Sequence, residues 1–170
     1  MHSFQIVNIN AITAEMVDIQ HSLQIDDLLH ENIGLGISYK FRTDEFEETV
    51  SMLLHIRYVY NYMDENQSKK MSFLHFDVEY TFGFSDYSKV VKYSKTKEVH
   101  SVDLDTLISM LSVSISSMRG YIYAKSADIV SANIPLPVVT PSKFIRGNDE
   151  YEIKGKKLYF DNVDAFAGAH

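Results

Sequence analysis

Seven histidines are the first residues of this chain that could do chemistry, because imidazole is a common metal ligand and general base. They are His2, His21, His30, His55, His75, His100 and His170. None forms an i, i+4 pair or a His-x-His arrangement, and none belongs to a recognised metal signature. The spacing therefore predicts no metal site and no cofactor, and it favours a surface pair for His55 and His75 on successive strands.

Two pairs of carboxylates are the next candidates. Asp77 and Glu79 alternate along one strand and point to the same face, while Asp103 and Asp105 open a helix. Neither pair is accompanied by a base, an orienting group or a set of oxyanion donors. A solvated sheet face and a charged helix start explain both pairs. The functional interpretation of Asp77 and Glu79 is an acidic docking surface for a basic partner.

Nucleophile and phosphate motifs do not appear in the expected settings. The five serines from Ser109 to Ser117 lack a G-x-S-x-G elbow. Gly34 and Gly36 lie inside a strand pattern and do not precede a helix, so they do not predict a phosphate-binding loop. The sequence therefore does not predict an enzyme.

Composition excludes other classes of protein. The 170 residues carry a net charge of -7 without a cluster of lysine or arginine, which argues against nucleic acid as a partner. Absence of cysteine excludes disulfides and fits a reducing compartment. Without a long apolar run, and with a start that lacks the basic and apolar blocks of a signal peptide, we expect a cytoplasmic protein with no membrane insertion.

Alternation of apolar and polar residues predicts an antiparallel sheet. Three strands, Ile33–Phe41, Val50–Tyr62 and Met71–Phe84, form a meander with short polar connections. Phe4–Ile12 is a fourth strand, and the long apolar connection after it should cross over the sheet to a different edge. The predicted fold class is α+β, with this four-stranded sheet packed by one long helix.

The helix is predicted to begin at Asp103, after a charged surface link over Lys89–Lys97, and to close at Arg119-Gly120. Apolar residues follow the 3.6-residue period on one side. Beside them lies a stripe of small residues, namely Ser109, Ser112, Ser116 and Gly120. The apolar side can cover a sheet, and the small stripe would let another backbone come close, which favours an oligomer interface. A serine-rich surface on one ordinary core helix explains the same stripe.

Aromatic residues extend along the strands past the region that the helix can cover. Tyr60, Tyr62, Phe82 and Phe84 are expected toward the strand ends, where they would rim an open groove for extended polypeptide. A core position explains each of the four equally well when it is taken alone.

The C-terminal third has less regular patterning. Ile134–Pro141 cannot be helical, because its prolines lack a donor and restrict the preceding residues. Tyr151–Phe160 is expected to be a short hairpin or edge strand that turns near Gly155. Asp161–His170 is expected to be a loosely ordered tail. The predicted division is a domain over residues 4–144 and an extension over residues 145–170.

This order of parts resembles the SecB-type export chaperones. The closest matches at residue level are Ser116-Ser117-Met118-Arg119-Gly120, the segment Ile134–Phe144 and the strand Phe73–Val78. The resemblance spans roughly residues 4–144. It implies a homotetramer, built as a dimer of dimers with long helices between two sheets, that holds unfolded polypeptide clients without ATP.

The resemblance also implies roles for particular residues. Ser109, Ser112 and Ser116 would lie at the subunit interface, and Arg119-Gly120 would end the helix. Asp77 and Glu79 would form the acidic outer surface that meets the SecA motor. The client groove would be lined by Ile25, Leu28, Leu29, Tyr60 and Phe144. Together with Tyr62, Phe82 and Phe84 from the strand ends, these are the predicted client-binding residues.

One departure from the family keeps several functions open. The family commonly ends with a second amphipathic helix, whereas Tyr151–Phe160 has the pattern of a strand. Relatives of this kind also serve as dedicated chaperones of toxin-antitoxin systems, with an antitoxin as client. A hotdog-type acyl thioesterase is an alternative, with Asp103 as its carboxylate, although no glycine-rich anion turn precedes it. An interaction module of phage or defence origin that uses only the fold is another.

Overall fold

The computed structural model describes residues 2–26, 29–94, 99–127, 141, 150–154 and 162–168 of the chain. Its strands are β1 (Phe4–Met16), β2 (Ile33–Asp44), β3 (Thr49–Asp64), β4 (Gln67–Phe84), β5 (Val91–Ser94), β6 (Val99–Asp103), β7 (Glu150–Lys154) and β8 (Asn162–Gly168). Its helices are α1 (Ile19–Leu23), α2 (Tyr87–Val90) and α3 (Leu104–Ser126), with a 3₁₀ turn at His30–Asn32. No helix of the described residues is long and apolar enough to cross a bilayer.

The main sheet has the strand order β1-β4-β3-β2-β8, with every pairing antiparallel. The predicted meander is confirmed in β2, β3 and β4. The predicted crossover is confirmed too, because β1 pairs with β4 while the chain resumes at β2 on the far side of β3. The hairpin between β3 and β4 turns on Glu65 and Asn66, both with positive φ, the pattern of a two-residue turn that matches strand twist.

Alternate residues of the meander are buried beneath α3. Met52, Leu54 and Ile56 of β3 are fully buried. From the helix side they are met by Leu107, Met110, Leu111, Ile115, Met118 and Ile122. Each large apolar side chain withdrawn from water contributes about 1.5–3 kcal/mol, so this layer is the main source of stability. The strands were correctly predicted because strict alternation leaves one face apolar.

Helix α3 begins as predicted but ends later. The Asp103 carboxylate accepts a hydrogen bond from the Thr106 backbone N–H at 3.0 Å, which makes Asp103 the N-cap. The helix then passes through Gly120 and ends at Ser126, so the predicted stop at Arg119-Gly120 is wrong. Ile122 lies in the core with no exposed surface, and its burial outweighs the roughly 1 kcal/mol that a glycine costs inside a helix.

The segments around α3 correct two further expectations. Lys89–Lys97 is not a simple link, because it contributes to α2 and to β5, which pairs with β6. The predicted edge strand is present as β7 on the other side of β6, while residues 155–160 lie outside the described residues. The loosely ordered tail is wrong in part, since β8 pairs with β2 and covers backbone groups that an edge strand would leave open. Most of Ile134–Pro141 lies outside the described residues.

Candidate functional site

The crossover connection docks against one end of β3. The backbone N–H of Leu29 donates to the hydroxyl of Tyr60 at 3.3 Å, and the Asn61 side-chain amide donates to the Asn32 carbonyl at 3.0 Å. Leu29 remains 50% exposed, whereas Ile25 is half-buried against the core. Leu29 therefore lies beside Tyr60. The resemblance assigned both residues to client binding. Leu28 and Phe144 lie outside the described residues.

The four aromatic residues expected to rim one groove do not do so. Tyr60, Phe82 and Phe84 are buried in the core, and only Tyr62 is half-buried. Antiparallel pairing also separates them, because it sets Phe82 opposite Val50 at the start of β3, while Tyr60 and Tyr62 occupy its other end. A single open groove rimmed by all four is therefore wrong, and Tyr60, Phe82 and Phe84 have little surface to offer a client.

Apolar side chains that sequence reasoning missed are exposed at the Tyr60 end of the sheet. Met63, just beyond Tyr62, is 68% exposed, and Val17 is 38% exposed. The Val17 backbone N–H donates to the Phe73 carbonyl at 2.8 Å, which fixes it at the same end. We call Val17, Leu29, Tyr62 and Met63 the crossover end. The sequence signal for Val17 and Met63 was weak, because each is one apolar residue near the end of a strand.

The small residues of α3 lie on the side of the helix away from the sheet. Ser116 and Gly120 are exposed, and Ser109 and Ser112 are half-buried. Two larger apolar side chains share this side, Val113 at 37% and Tyr123 at 55% exposure. We call the set Ser109, Ser112, Val113, Ser116, Gly120 and Tyr123 the helix stripe. The predicted stripe is thus accessible in the single chain.

Two of the hydroxyl groups of the stripe are already satisfied within the helix. Ser109 Oγ donates to the Asp105 carbonyl and Ser112 Oγ to the Ile108 carbonyl, both at 2.8 Å. Covering such a hydroxyl leaves no hydrogen-bond donor unpaired, so the usual free-energy penalty for burying a polar group is small. At Gly120 an added Cβ would meet no atom within 4 Å. The stripe can therefore be covered by another surface at low cost.

The outermost strand, β1, presents a second apolar surface. Val7, Ile9 and Ile12 are 49%, 52% and 56% exposed. Its pairing with β4 is interrupted by register shifts near Val7 and Ile12. A long edge strand with exposed apolar side chains is a template for pairing with another chain.

The outer face of the sheet, opposite α3, holds the two carboxylates predicted to dock a basic partner. Glu79 pairs with Arg42 at 3.0 Å, and Asp77 bonds His55 at 2.5 Å and His75 at 3.2 Å. Their side chains are only 19% and 15% exposed. Both carboxylates are engaged within the chain and do not form the open acidic surface that was expected.

The charge state of Asp77 follows from these partners. Burial pushes the pKa of Asp77 upward, but hydrogen bonds from His55 and Thr13, with the electrostatic influence of the two neighbouring imidazole rings, outweigh it. The pKa of Asp77 therefore lies below its usual value, and the carboxylate is ionised at neutral pH. Within the described residues no group of three or more histidines and carboxylates is arranged to hold a metal ion.

The carboxylate that a thioesterase would need is engaged as well. Asp103 Oδ2 accepts from the hydroxyl of Thr106 at 2.6 Å, in addition to the capping bond from its N–H. Burial raises the pKa of Asp103, and the two bonds from Thr106 lower it by more, so it lies below its usual value. This geometry serves the helix start, and nothing in it orients Asp103 toward a substrate.

Comparison of the chain with models of protein families, with curated proteins and with solved structures found no match.

Proposed function

We propose that this chain is an ATP-independent chaperone, a holdase that assembles from copies of itself and binds non-native polypeptide in the cytoplasm. The observation that carries the proposal is the helix stripe, an uncharged surface along α3 whose Ser109 and Ser112 hydroxyls are bonded within the helix and which the rest of the described chain covers only in part. The α+β fold with its crossover and single long helix has the order of parts implied by the SecB-type resemblance.

Gly120 strengthens the case for self-association. It lies inside α3, where glycine costs about 1 kcal/mol relative to alanine. A Cβ added at Gly120 would meet no atom of the chain within 4 Å, so packing within the subunit does not require glycine here. A backbone that approaches from a second subunit explains it. A second copy of α3 would supply that backbone, with Ser112 and Ser116 allowing the same close contact on the preceding turns.

Two separate association surfaces support a tetramer built as a dimer of dimers. Such a tetramer needs two different two-fold contacts. The helix stripe provides one, and the open edge of β1 with Val7, Ile9 and Ile12 provides the other. Pairing two β1 edges would also remove the exposed edge from solvent.

Clients are proposed to bind at the crossover end. Val17, Leu29 and Met63 are exposed apolar side chains at one end of the sheet, and each contact is modest, so affinity would come from several subunits that engage one extended chain. The engaged state of Asp77 and Glu79 gives less support to docking of a SecA-type motor. We therefore propose a dedicated client, such as an antitoxin, in preference to general export.

The assembly is tested by measuring the mass in solution. We expect the wild-type chain, 19.5 kDa per subunit, to behave as a tetramer. Ser112→Glu should reduce that mass, because it places a charge where two helices meet. Ser68→Glu, at an exposed position on β4, is the matched control and should leave the mass unchanged. A wild-type monomer, or equal behaviour of the two variants, would count against the helix interface.

Holdase activity is tested separately. A near-stoichiometric amount of folded protein should slow the aggregation of a denatured model protein, with no effect of added ATP. Leu29→Asp together with Met63→Asp should weaken this suppression while the oligomer mass stays constant, since both side chains are exposed and neither belongs to the helix stripe or to β1. No suppression at excess by correctly folded wild-type protein would overturn the function even if the oligomer forms.

A further inference from the structure

The outer face of the sheet aligns polar residues across adjacent strands. Strand register sets Ser38, His55, Asp77 and Thr13 side by side on β2, β3, β4 and β1. The neighbouring row is Gly36, Arg57, His75 and Glu15. Side chains directly opposite on an antiparallel pair have Cβ atoms about 4.5–5.5 Å apart, so each row forms a continuous line of contacts.

Asp77 fixes the orientation and tautomer of His55. An ionised carboxylate only accepts hydrogen bonds, so the 2.5 Å contact requires the proton on His55 Nδ1. The other ring nitrogen, Nε2, is buried and has no hydrogen-bond partner among the residues that the structure describes. A buried polar atom without a partner is rare and destabilising, and an absent ligand is one of its ordinary explanations.

A hollow of about 350 Å³ lies beside this imidazole. Gly36 and Ser38 contribute little volume to its β2 side, and the cationic side chains Lys40 and Arg57 line it together with His55 and His75. Arg57 is exposed and takes part in none of the ion pairs of the described outer face. The guanidinium is therefore available to an anion in the hollow.

The described acids of the outer face are bonded to groups other than Arg57. Asp77 is bonded to both histidines, and Glu79 is paired with Arg42. Glu15 reaches the far side of His75 at 3.6 Å and is 73% exposed. Arg57 thus presents positive charge at the wall of the hollow, in a chain whose overall charge is -7.

We propose that this hollow binds a phosphate group, either free or on a small phosphate monoester, with Arg57 as its charged anchor and His55 Nε2 as a proton-sharing partner. Arginine presents two parallel N–H groups that match phosphate oxygens. A phosphate also carries a proton that titrates near neutral pH, so one P–O–H can donate to the neutral Nε2. A fully ionised carboxylate has no such proton and would leave Nε2 without a donor. Nε2 exposes almost no surface here, so binding requires a side chain on the wall of the hollow to move.

The proposal does not depend on the chaperone function, because the hollow and the helix stripe lie on opposite sides of the sheet. It is tested on the full-length chain at constant ionic strength by following the histidine ring nitrogens by NMR during titration with inorganic phosphate. We expect saturable binding with a change at His55 Nε2, and weaker binding of succinate. Glucose 6-phosphate distinguishes free phosphate from a phosphate monoester as the ligand. Tighter binding of glucose 6-phosphate than of inorganic phosphate identifies a monoester.

Two arginine variants make the test specific. Arg57→Gln should weaken phosphate binding about tenfold or more, the loss expected for a charge-assisted pair. Arg42→Gln removes a guanidinium from the same face, outside the hollow, and should leave phosphate binding nearly unchanged. Thermal unfolding of both variants shows that they are folded. No saturable phosphate binding, equal losses in the two variants, or succinate binding as tight as phosphate would each overturn the assignment.

Discussion

The two faces of the meander are built from the same strands but obey different rules. The inner face under α3 is apolar and closely packed, with Met52, Leu54 and Ile56 fully buried on one strand. The outer face alternates with it and holds Leu53, His55 and Arg57, which are half-buried or exposed. Some of its polar side chains bond specific partners on the next strand, such as Asp77 for His55.

The difference shows that the inner face supplies most of the stability, whereas the outer face specifies the strand register. Apolar burial is non-directional and sums over many residues, so the inner face tolerates small errors of placement. A charged hydrogen-bond network depends on register, because a slip of one residue would move every carboxylate to the other face. A binding site is therefore more easily accommodated on the outer face of the sheet and on the exposed side of α3 than in the core.

The largest expected effect comes from the inner face. Ile56→Ala should lower the free energy of unfolding by about 3 kcal/mol, because it leaves a cavity beneath α3. Leu53→Ala, three residues earlier on the outer face, should cost clearly less, since Leu53 is only half-buried. Urea unfolding monitored by circular dichroism measures both. Equal losses would show that the two faces do not differ as described.

The outer-face network is expected to have a smaller effect. Asp77→Asn should cost about 1–3 kcal/mol, since it removes a charged acceptor from His55 and His75. Glu79→Gln is the matched control two residues along the strand, where the partner Arg42 is 48% exposed and the pair contributes at most about 1 kcal/mol. If the two substitutions lower the free energy of unfolding by the same amount, the bonds from His55 and His75 to Asp77 stabilise the protein no more than an ordinary surface ion pair does.

The same carboxylate predicts how stability depends on pH. Because the folded pKa of Asp77 lies below the usual 3.8, the unfolded state binds the proton more readily. The contribution of Asp77 to stability is fully present above its usual pKa and is lost as the pH falls through its lower pKa in the folded state. Wild-type protein should therefore lose stability more steeply below about pH 4 than Asp77→Asn does. Parallel stability curves for the two proteins between pH 5 and pH 2 would contradict this assignment.

The inner face was predictable from the sequence, and the outer face was not. Period-2 alternation identified β2, β3 and β4, because apolar residues on one side of a strand have few other uses. The bonds from His55 and His75 to Asp77 depend on the register set by a two-residue turn at Glu65 and Asn66. Nothing local in the sequence reports that register.

The remaining errors have similar causes. The stop at Gly120 was wrong because glycine is a local helix terminator, whereas the burial of Ile122 is a tertiary effect. Strand β8 was missed because its partner, β2, is more than a hundred residues earlier in the chain. The groove aromatics were misplaced because alternation shows which face a residue takes but not which sheet end it shares with its neighbours. The helix stripe could be predicted, because its small residues recur with the helical period.

The smallest effect, at Gly120, distinguishes an open helix surface from a covered one. If the helix stripe faces only water, Gly120→Ala should raise the free energy of unfolding by up to about 1 kcal/mol, since alanine favours helix and the new Cβ meets nothing within 4 Å. If a second α3 packs against it, the added methyl group separates the backbones and the oligomer dissociates at a higher protein concentration. Unfolding at low protein concentration measures the first effect, and a dilution series of the mass measures the second. A more stable subunit with a weaker assembly is the result we expect, and a dilution series identical to that of the wild type would place the stripe in solvent.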